Sequence, residues 1–388
     1  MKKRLKSIDV FRGYIIIYMI LLHTWMWSFP GGALSLSSNN FFNMISSVIC
    51  YLSPEAEGFV FISGISIALS YFSKTASIKN ANFNRNNDYE VYRLKYFLRA
   101  IFLFLIGFFY YNLRAFLYRG YIGNLWSWNI FQTLSVSMIL AWPLMKYKKN
   151  IRVLIASIFL ILYGLFLYFI PKDILISPGD QIVIKHLLDV FYFIFYNGFL
   201  FAPILGFFPF YLLGNILGEI IYEKTINEKT KIPDKEFIHS IIYPLLLISA
   251  LFIPLALLLI PLDNFFRNSF SWLLFSIGTN FILFLILLNI EKKKRFNLQR
   301  NYEFFFYFSY YSLTIFILHE FLFPLLFQKF TICQGFFVSL IIIVVFFIYL
   351  KIIYRKLGKY FSLKYLISEL SSSLATLFNK RRFLKLKK

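Results

Sequence analysis

Apolar positions in this chain come in blocks, with little of the short-period alternation of a half-buried strand. "IRVLIASIFLILYGLFLYFI" and "YPLLLISALFIPLALLLIPL" hold a single charge between them, Arg152. Each block fills the ~20 residues that a helix needs to cross hydrocarbon. Blocks of this kind recur near 9–29, 56–73, 96–112, 129–145, 152–170, 201–222, 240–261, 270–290, 305–327 and 332–354. The pattern predicts an all-α polytopic integral membrane protein of about ten transmembrane helices, each at or near the length required. An eleventh would come from 41–52 or 187–200, which are apolar but short and read equally well as re-entrant or interfacial pieces.

The polar breaks supply orientation. Lys74, Lys79, Arg85, Arg93 and Lys95 fall in one break, Lys146, Lys148, Lys149 and Arg152 in another, and "EKKKRFNLQR" in a third, while 30–40 carries no charge. Under the positive-inside rule these basic breaks face the cytoplasm, and both termini lie inside. No Gly/Ser linker and no internal repeat divides the chain. It reads as a single transmembrane domain, 1–388, with 371–388 as a basic cytoplasmic tail. The basic first residues before an apolar run resemble a signal peptide, but Asp9 and Arg12 interrupt the run and no A-x-A site follows, so a retained first helix is expected.

Composition changes this picture little. Of the 388 residues 59% are hydrophobic and 15% charged, against about a quarter charged in soluble domains. The net charge of +23 would suit nucleic acid. It is parcelled into short segments beside apolar runs, however, which argues for cytoplasmic loops and anionic lipid, with no nucleic-acid partner. With only Cys50 and Cys333 there is no disulfide framework and no cysteine metal site.

Charge within the apolar blocks is the informative exception, because ionisable groups in a membrane are costly and default to function. In "SIDVFRGYIIIYMILLHTW", Asp9, Arg12, Gly13 and His23 fall on a stripe of roughly 100° at 100° per residue. His23 sits roughly 16 Å beyond Arg12 along the helix. For Asp9 and Arg12 a headgroup location that merely orients the helix is the competing reading. "YFSYYSLTIFILHEF" brings His319 to a similar depth, followed by Glu320, and "SPEAEGFVFISGISIALSY" offers Glu57 on the face of Gly64 and Ala68. Those two small residues also permit close helix packing. Imidazoles and carboxylates are the groups of acid–base chemistry. Arg12 and Arg99, at the other side, suit a phosphorylated ligand. His186 and His239 read as solvated surface. No P-loop, nucleophile elbow, H-E-x-x-H or paired C-x-x-C occurs, so nucleotide-hydrolase, serine-hydrolase and zinc-protease chemistry lack support, and no metal is expected.

Six segments in order resemble those of the membrane acyltransferases related to heparan-α-glucosaminide N-acetyltransferase. These are "SIDVFRGYIIIYMILLH", "AEGFVFISGISIALSY", "FLRAIFLFLIGFF", "IFQTLSVSMIL" around Gln132, "FFPFYLLGNILGEII" and "YSLTIFILHEFLF". The resemblance implies transfer of an acyl group, usually acetyl from acetyl-CoA, to a sugar or glycan acceptor outside. It implies catalytic roles for His23, His319, Glu57 and Asp9, and acyl-CoA contacts from Arg12, Arg99 and Gln132. Lysosomal relatives are thought to use a histidine in the loop after the first helix. "PGGALSLSSNN" has none, which leaves that role to His23 or marks a catalytically altered relative. The reading is therefore a multi-pass acyltransferase in a cytoplasmic membrane of prokaryotic type, with acyl-CoA, a carbohydrate acceptor and lipid as partners and homo-oligomerisation open. The rival is a transporter or flippase whose polar residues line a path.

Overall fold

The computed structural model describes residues 5–30, 55–80, 85–120, 128–169, 202–227, 238–263, 269–293 and 302–386, and among them every regular element is helical. The segments 41–52 and 187–200, His186 and the loops 31–40 and 294–300 lie outside the described residues. The elements are α1 (Lys6–Ser28), α2 (Glu55–Asn80), α3 (Arg85–Arg119), α4 (Ile130–Leu144), α5 (Lys149–Phe169) and α6 (Ile204–Ile221). There follow α7 (Tyr243–Asp263), α8 (Phe270–Lys292), α9 (Glu303–Tyr310), α10 (Ser312–Leu318), α11 (Phe323–Leu326), α12 (Ile332–Lys356) and α13 (Leu363–Leu386).

Within the described residues, each of the ten apolar blocks forms helix over most of its length. Eight of these helices are long and apolar enough to cross a membrane, which makes this a multi-pass membrane protein. Two blocks differ from expectation. α4 has 15 residues, short of the ~20 that cross hydrocarbon. The block 305–327, read from sequence as one straight span, bends by 73° between α9 and α10. No proline causes the break. Tyr311 leaves helical geometry (φ −100°, ψ 19°), and neighbouring polar groups bond to the segment after α12. The Ser362 hydroxyl donates to the Tyr310 carbonyl at 3.3 Å, and Thr314 Oγ1 accepts from the Leu363 N–H at 3.0 Å. α3 also outruns its apolar block, continuing to Arg119 and stopping at Gly120, whose φ of +75° is the left-handed residue that ends helices. Through Leu386 the basic tail is part of α13.

Contacts divide the chain into two compact units, described separately. Unit 1 comprises Met1–Phe59, Tyr110–Gly123 and Phe275–Lys364. Its central helix is α1, 72% buried across its span. Gly13 lets α1 approach α9 so closely that a Cβ there would lie 2.3 Å from the Phe305 carbonyl oxygen. Gly335 does the same for α12 against Ser28. The last carbonyls of α1, orphans at any helix end, accept from the loop before α12: Trp27 from the Gln328 N–H and Ser28 from the Phe330 N–H, each at 2.9 Å.

Unit 2 comprises Val60–Phe109, Asn124–Leu274 and Tyr365–Lys388, with α6 as its central helix, 83% buried. Gly64 faces the Tyr211 carbonyl, and Gly214 faces that of Phe61. The small residues of "SGISIAL" thus pack backbone against backbone, as lipid-embedded helices do in place of hydrophobic association. Arg152, counted from sequence among loop cations, is instead fully buried in the first turn of α5. Its guanidinium pairs with Glu219 and donates to Asn215 Oδ1 at 2.9 Å. By contrast α5, α7 and α12 are only 22, 22 and 17% buried, and Leu258, Ile341 and Val345 project outward, as bilayer-facing surfaces require.

Candidate functional site

The histidines of α1 and of the turn after α10 meet inside unit 1. His23 Nδ1 lies 2.9 Å from His319 Nε2. His319 Nδ1 lies 3.3 Å from the carbonyl oxygen of Ile315, one turn back on its own helix. A carbonyl only accepts, so Nδ1 of His319 carries the proton and its Nε2 presents a lone pair. His23 then donates from Nδ1, and its Nε2 becomes the basic nitrogen. One backbone carbonyl sets the tautomer of both rings.

Aromatic rings enclose the pair. Trp27, one turn beyond His23, stacks on His319 with centroids 5.6 Å apart, and Phe316 meets His319 edge-on. His319 is fully buried and His23 partly so. Glu320 follows with its side chain also fully buried, its Oε1 3.8 Å from His319 Nε2. Tyr110 donates to that Oε1, and Arg114 Nε stands 4.0 Å from Oε2. Tyr110, Arg114 and Tyr118 follow at four-residue steps along the same face of α3, and Arg114 lies over the Tyr118 ring. Sequence reasoning missed Arg114 because the apolar block was closed at 112, and Tyr110, inside the block, was not singled out among its many aromatic residues. The signal was present: no helix breaker intervenes before Gly120.

Glu57 is fully buried on α2 and belongs to unit 1. The ligand atoms that converge within 4.8 Å are those of His23, His319 and Glu320. This trio is a donor set a divalent ion such as zinc accepts. The two ring nitrogens are already engaged with each other, however, and the Arg114 cation stands beside Glu320, so the arrangement favours handling a proton.

At the other end of α1, fourteen residues or about 21 Å from His23, Asp9 is buried and accepts from Tyr302 and, at 3.2 Å, from Ser309. Glu291 closes the helix start, accepting the N–H groups of Lys6 and Ser7 at 2.9 and 2.8 Å, where the helix dipole favours negative charge. Arg12 is buried on the same helix. Arg99 and Gln132 belong to unit 2. Arg99 donates to Ser368 of α13. Gln132 occupies the third position of α4 and completes a capping box: the Asn129 N–H donates to its Oε1 at 2.7 Å while Asn129 Oδ1 caps the helix. His239 is exposed, its ring tilted against that of Tyr243 with centroids 5.2 Å apart.

Buried ionisable side chains held between apolar helices mark a multi-pass membrane protein with a polar cluster in its interior. The family described as "Heparan-alpha-glucosaminide N-acetyltransferase, catalytic" matches residues 4–258, about two thirds of the chain, and the chain belongs to that family of membrane acetyltransferases. The match includes His23 and α1; His319 and Glu320 lie beyond it. No curated protein matches the chain.

Proposed function

We propose that the protein transfers an acetyl or other acyl group from a cytoplasmic acyl-CoA to a sugar or glycan acceptor on the outer side of the membrane, with both termini inside. The observation that carries the reading is the His23–His319 hydrogen bond at 2.9 Å. It leaves His23 Nε2 as base or nucleophile, with a partner that takes up positive charge.

As general base, His23 Nε2 removes the proton from the acceptor hydroxyl or amine as that atom attacks the thioester carbonyl. The thiolate of CoA leaves and recovers the proton from Nε2. As acyl carrier, Nε2 itself attacks, expels the thiolate and forms an acyl-imidazole that the acceptor then cleaves. Either route makes His23 cationic. Its Nδ1 proton leans on His319 Nε2, and the Glu320 carboxylate, held by Tyr110 and Arg114, offsets the charge. His319 acts through His23, orienting it as the third member of a nucleophile–base–orienter set orients the second. The aromatic wall of Trp27 and Phe316 excludes water that would hydrolyse the donor. Asp9, Glu57 and Arg12 are assigned to supporting positions on the same unit.

The test is incubation of the purified protein with radiolabelled acetyl-CoA and a panel of amino sugars and glycans. Label moving to an acceptor supports acyl transfer, and label retained on wild type but not on His23→Ala selects the carrier route. Absence of transfer to any acceptor, with no label retained, overturns the reading.

A further inference from the structure

Unit 2 carries two adjoining clefts, of about 850 and 750 Å³, that share Glu90, Arg93 and Lys146. They open at the end of α3 and α4 that the positive-inside bias assigns to the cytoplasm. We propose that these clefts bind the nucleotide half of the acyl-CoA donor, with Arg93, Lys146 and Lys79 on its phosphates and the exposed rings of Tyr147 and Phe378 against its base. The assignment rests on the acyl-CoA reading above and adds residues that the sequence motifs do not contain.

Three features carry it. The first is size, since the volumes fall within the roughly 300–1,000 Å³ of small-molecule sites. The second is charge. Arg93, Lys146 and Lys79 face the clefts against one carboxylate, Glu90, whose ion pair with Arg93 (2.6 Å) fixes the direction of that guanidinium. Cations set in this way match phosphate oxygens. The third is a ring platform. Tyr147 and Phe378, both exposed, line the larger cleft, and Tyr89 lines the smaller one, while buried Trp142 backs the wall behind Phe97 and Tyr89. Aromatic faces of this kind stack nucleobases whatever their identity. A free inorganic phosphate needs no ring, and a hydrocarbon tail needs no cation; a purine nucleotide uses both.

The experiment compares wild type with Lys146→Gln and Arg93→Gln, both side chains exposed so that the fold tolerates the change. The probe is adenosine 3′,5′-bisphosphate, the nucleotide part of CoA without thiol or acyl chain, titrated by calorimetry into full-length protein in nanodiscs. Each variant is expected to weaken binding about threefold to tenfold, the range for losing one partly exposed charged contact. The KM for acetyl-CoA should rise in step, while the KM for S-acetyl-pantetheine, which lacks the nucleotide, stays unchanged. Equal shifts for both donors would mark a structural defect and overturn the assignment, as would bisphosphate binding that ignores both substitutions. Nanodiscs with and without phosphatidylglycerol separate nucleotide from lipid headgroup. Loss of bound anionic lipid in the variants, with no nucleotide binding by wild type, also overturns it. If acetyl transfer proceeds without nucleotide binding in these clefts, the clefts fail and the transferase stands. If the variants weaken nucleotide binding but no acyl group moves, the clefts stand and the transferase reading fails.

Discussion

His23 and His319, 296 residues apart in sequence, share a hydrogen bond of 2.9 Å whose direction is set by the Ile315 carbonyl. His23 donates and His319 accepts, and the proposed acyl transfer uses the remaining nitrogen of His23. Most of the expected consequences concern that bond and its surroundings.

Substitution His23→Ala is expected to lower acetyl transfer about 10²–10⁴-fold, the range for losing a positioned base. His319→Ala should lose less, because the base survives without its orienting partner. His319→Gln should recover part of the loss, since a side-chain oxygen accepts the same proton. Initial rates with labelled acetyl-CoA, set beside monodisperse elution of each variant, check the order.

Tyr110→Phe removes a donor from a buried carboxylate and little volume. A hydrogen bond to a charged group contributes about 1.5–3 kcal/mol, so a lower melting temperature and reduced transfer are both expected. A variant with the activity of wild type would show that Glu320 does not assist the histidine pair.

Chelation is expected to leave transfer unaffected, because the nitrogens of His23 and His319 engage each other and Arg114 supplies the positive charge beside Glu320. Prolonged dialysis against EDTA, followed by metal analysis and assay, tests this. Loss of activity restored by zinc would reassign His23, His319 and Glu320 as ligands.

Gly13→Ala places a methyl group 2.3 Å from a backbone oxygen of α9, and backbone yields less readily than a side-chain tip. Overpacking of this kind costs about 1–3 kcal/mol. The expected result is a clear drop in melting temperature in detergent.

Arg152→Met leaves Glu219 without its cation. Removing one partner of a buried ion pair costs about 3–5 kcal/mol, whereas replacing both with apolar groups is often neutral. Arg152→Met together with Glu219→Leu should therefore recover much of the stability lost by Arg152→Met alone, as a thermal double-mutant cycle would show.

The helices were largely legible from sequence, because apolar blocks near span length have few other structures available in lipid. The close approach at Gly64 was legible for a similar reason: small residues on one face have few other uses there. Gln132 shows the limit. A glutamine in an apolar block drew a ligand role from the motif around it, and its further place in the helix cap, three residues after Asn129, was a local signal left unread. Arg152 was counted with the loop cations beside it because its burial depends on Asn215 and Glu219, more than sixty residues away. Arg114 was lost where the apolar block ended before the helix did, and Tyr110 because one tyrosine in an aromatic-rich block carries no local mark of its partner Glu320.

What the sequence by itself determined is the class: a multi-pass helical membrane protein with ionisable groups on the face of its first helix, because lipid forces the backbone to satisfy itself within each segment. The tertiary structure alone decided the bend at Tyr311, the meeting of His23 with His319, and the charges gathered around Glu320. These depend on which helix faces meet across hundreds of residues, and periodicity within one helix carries no information about its neighbour.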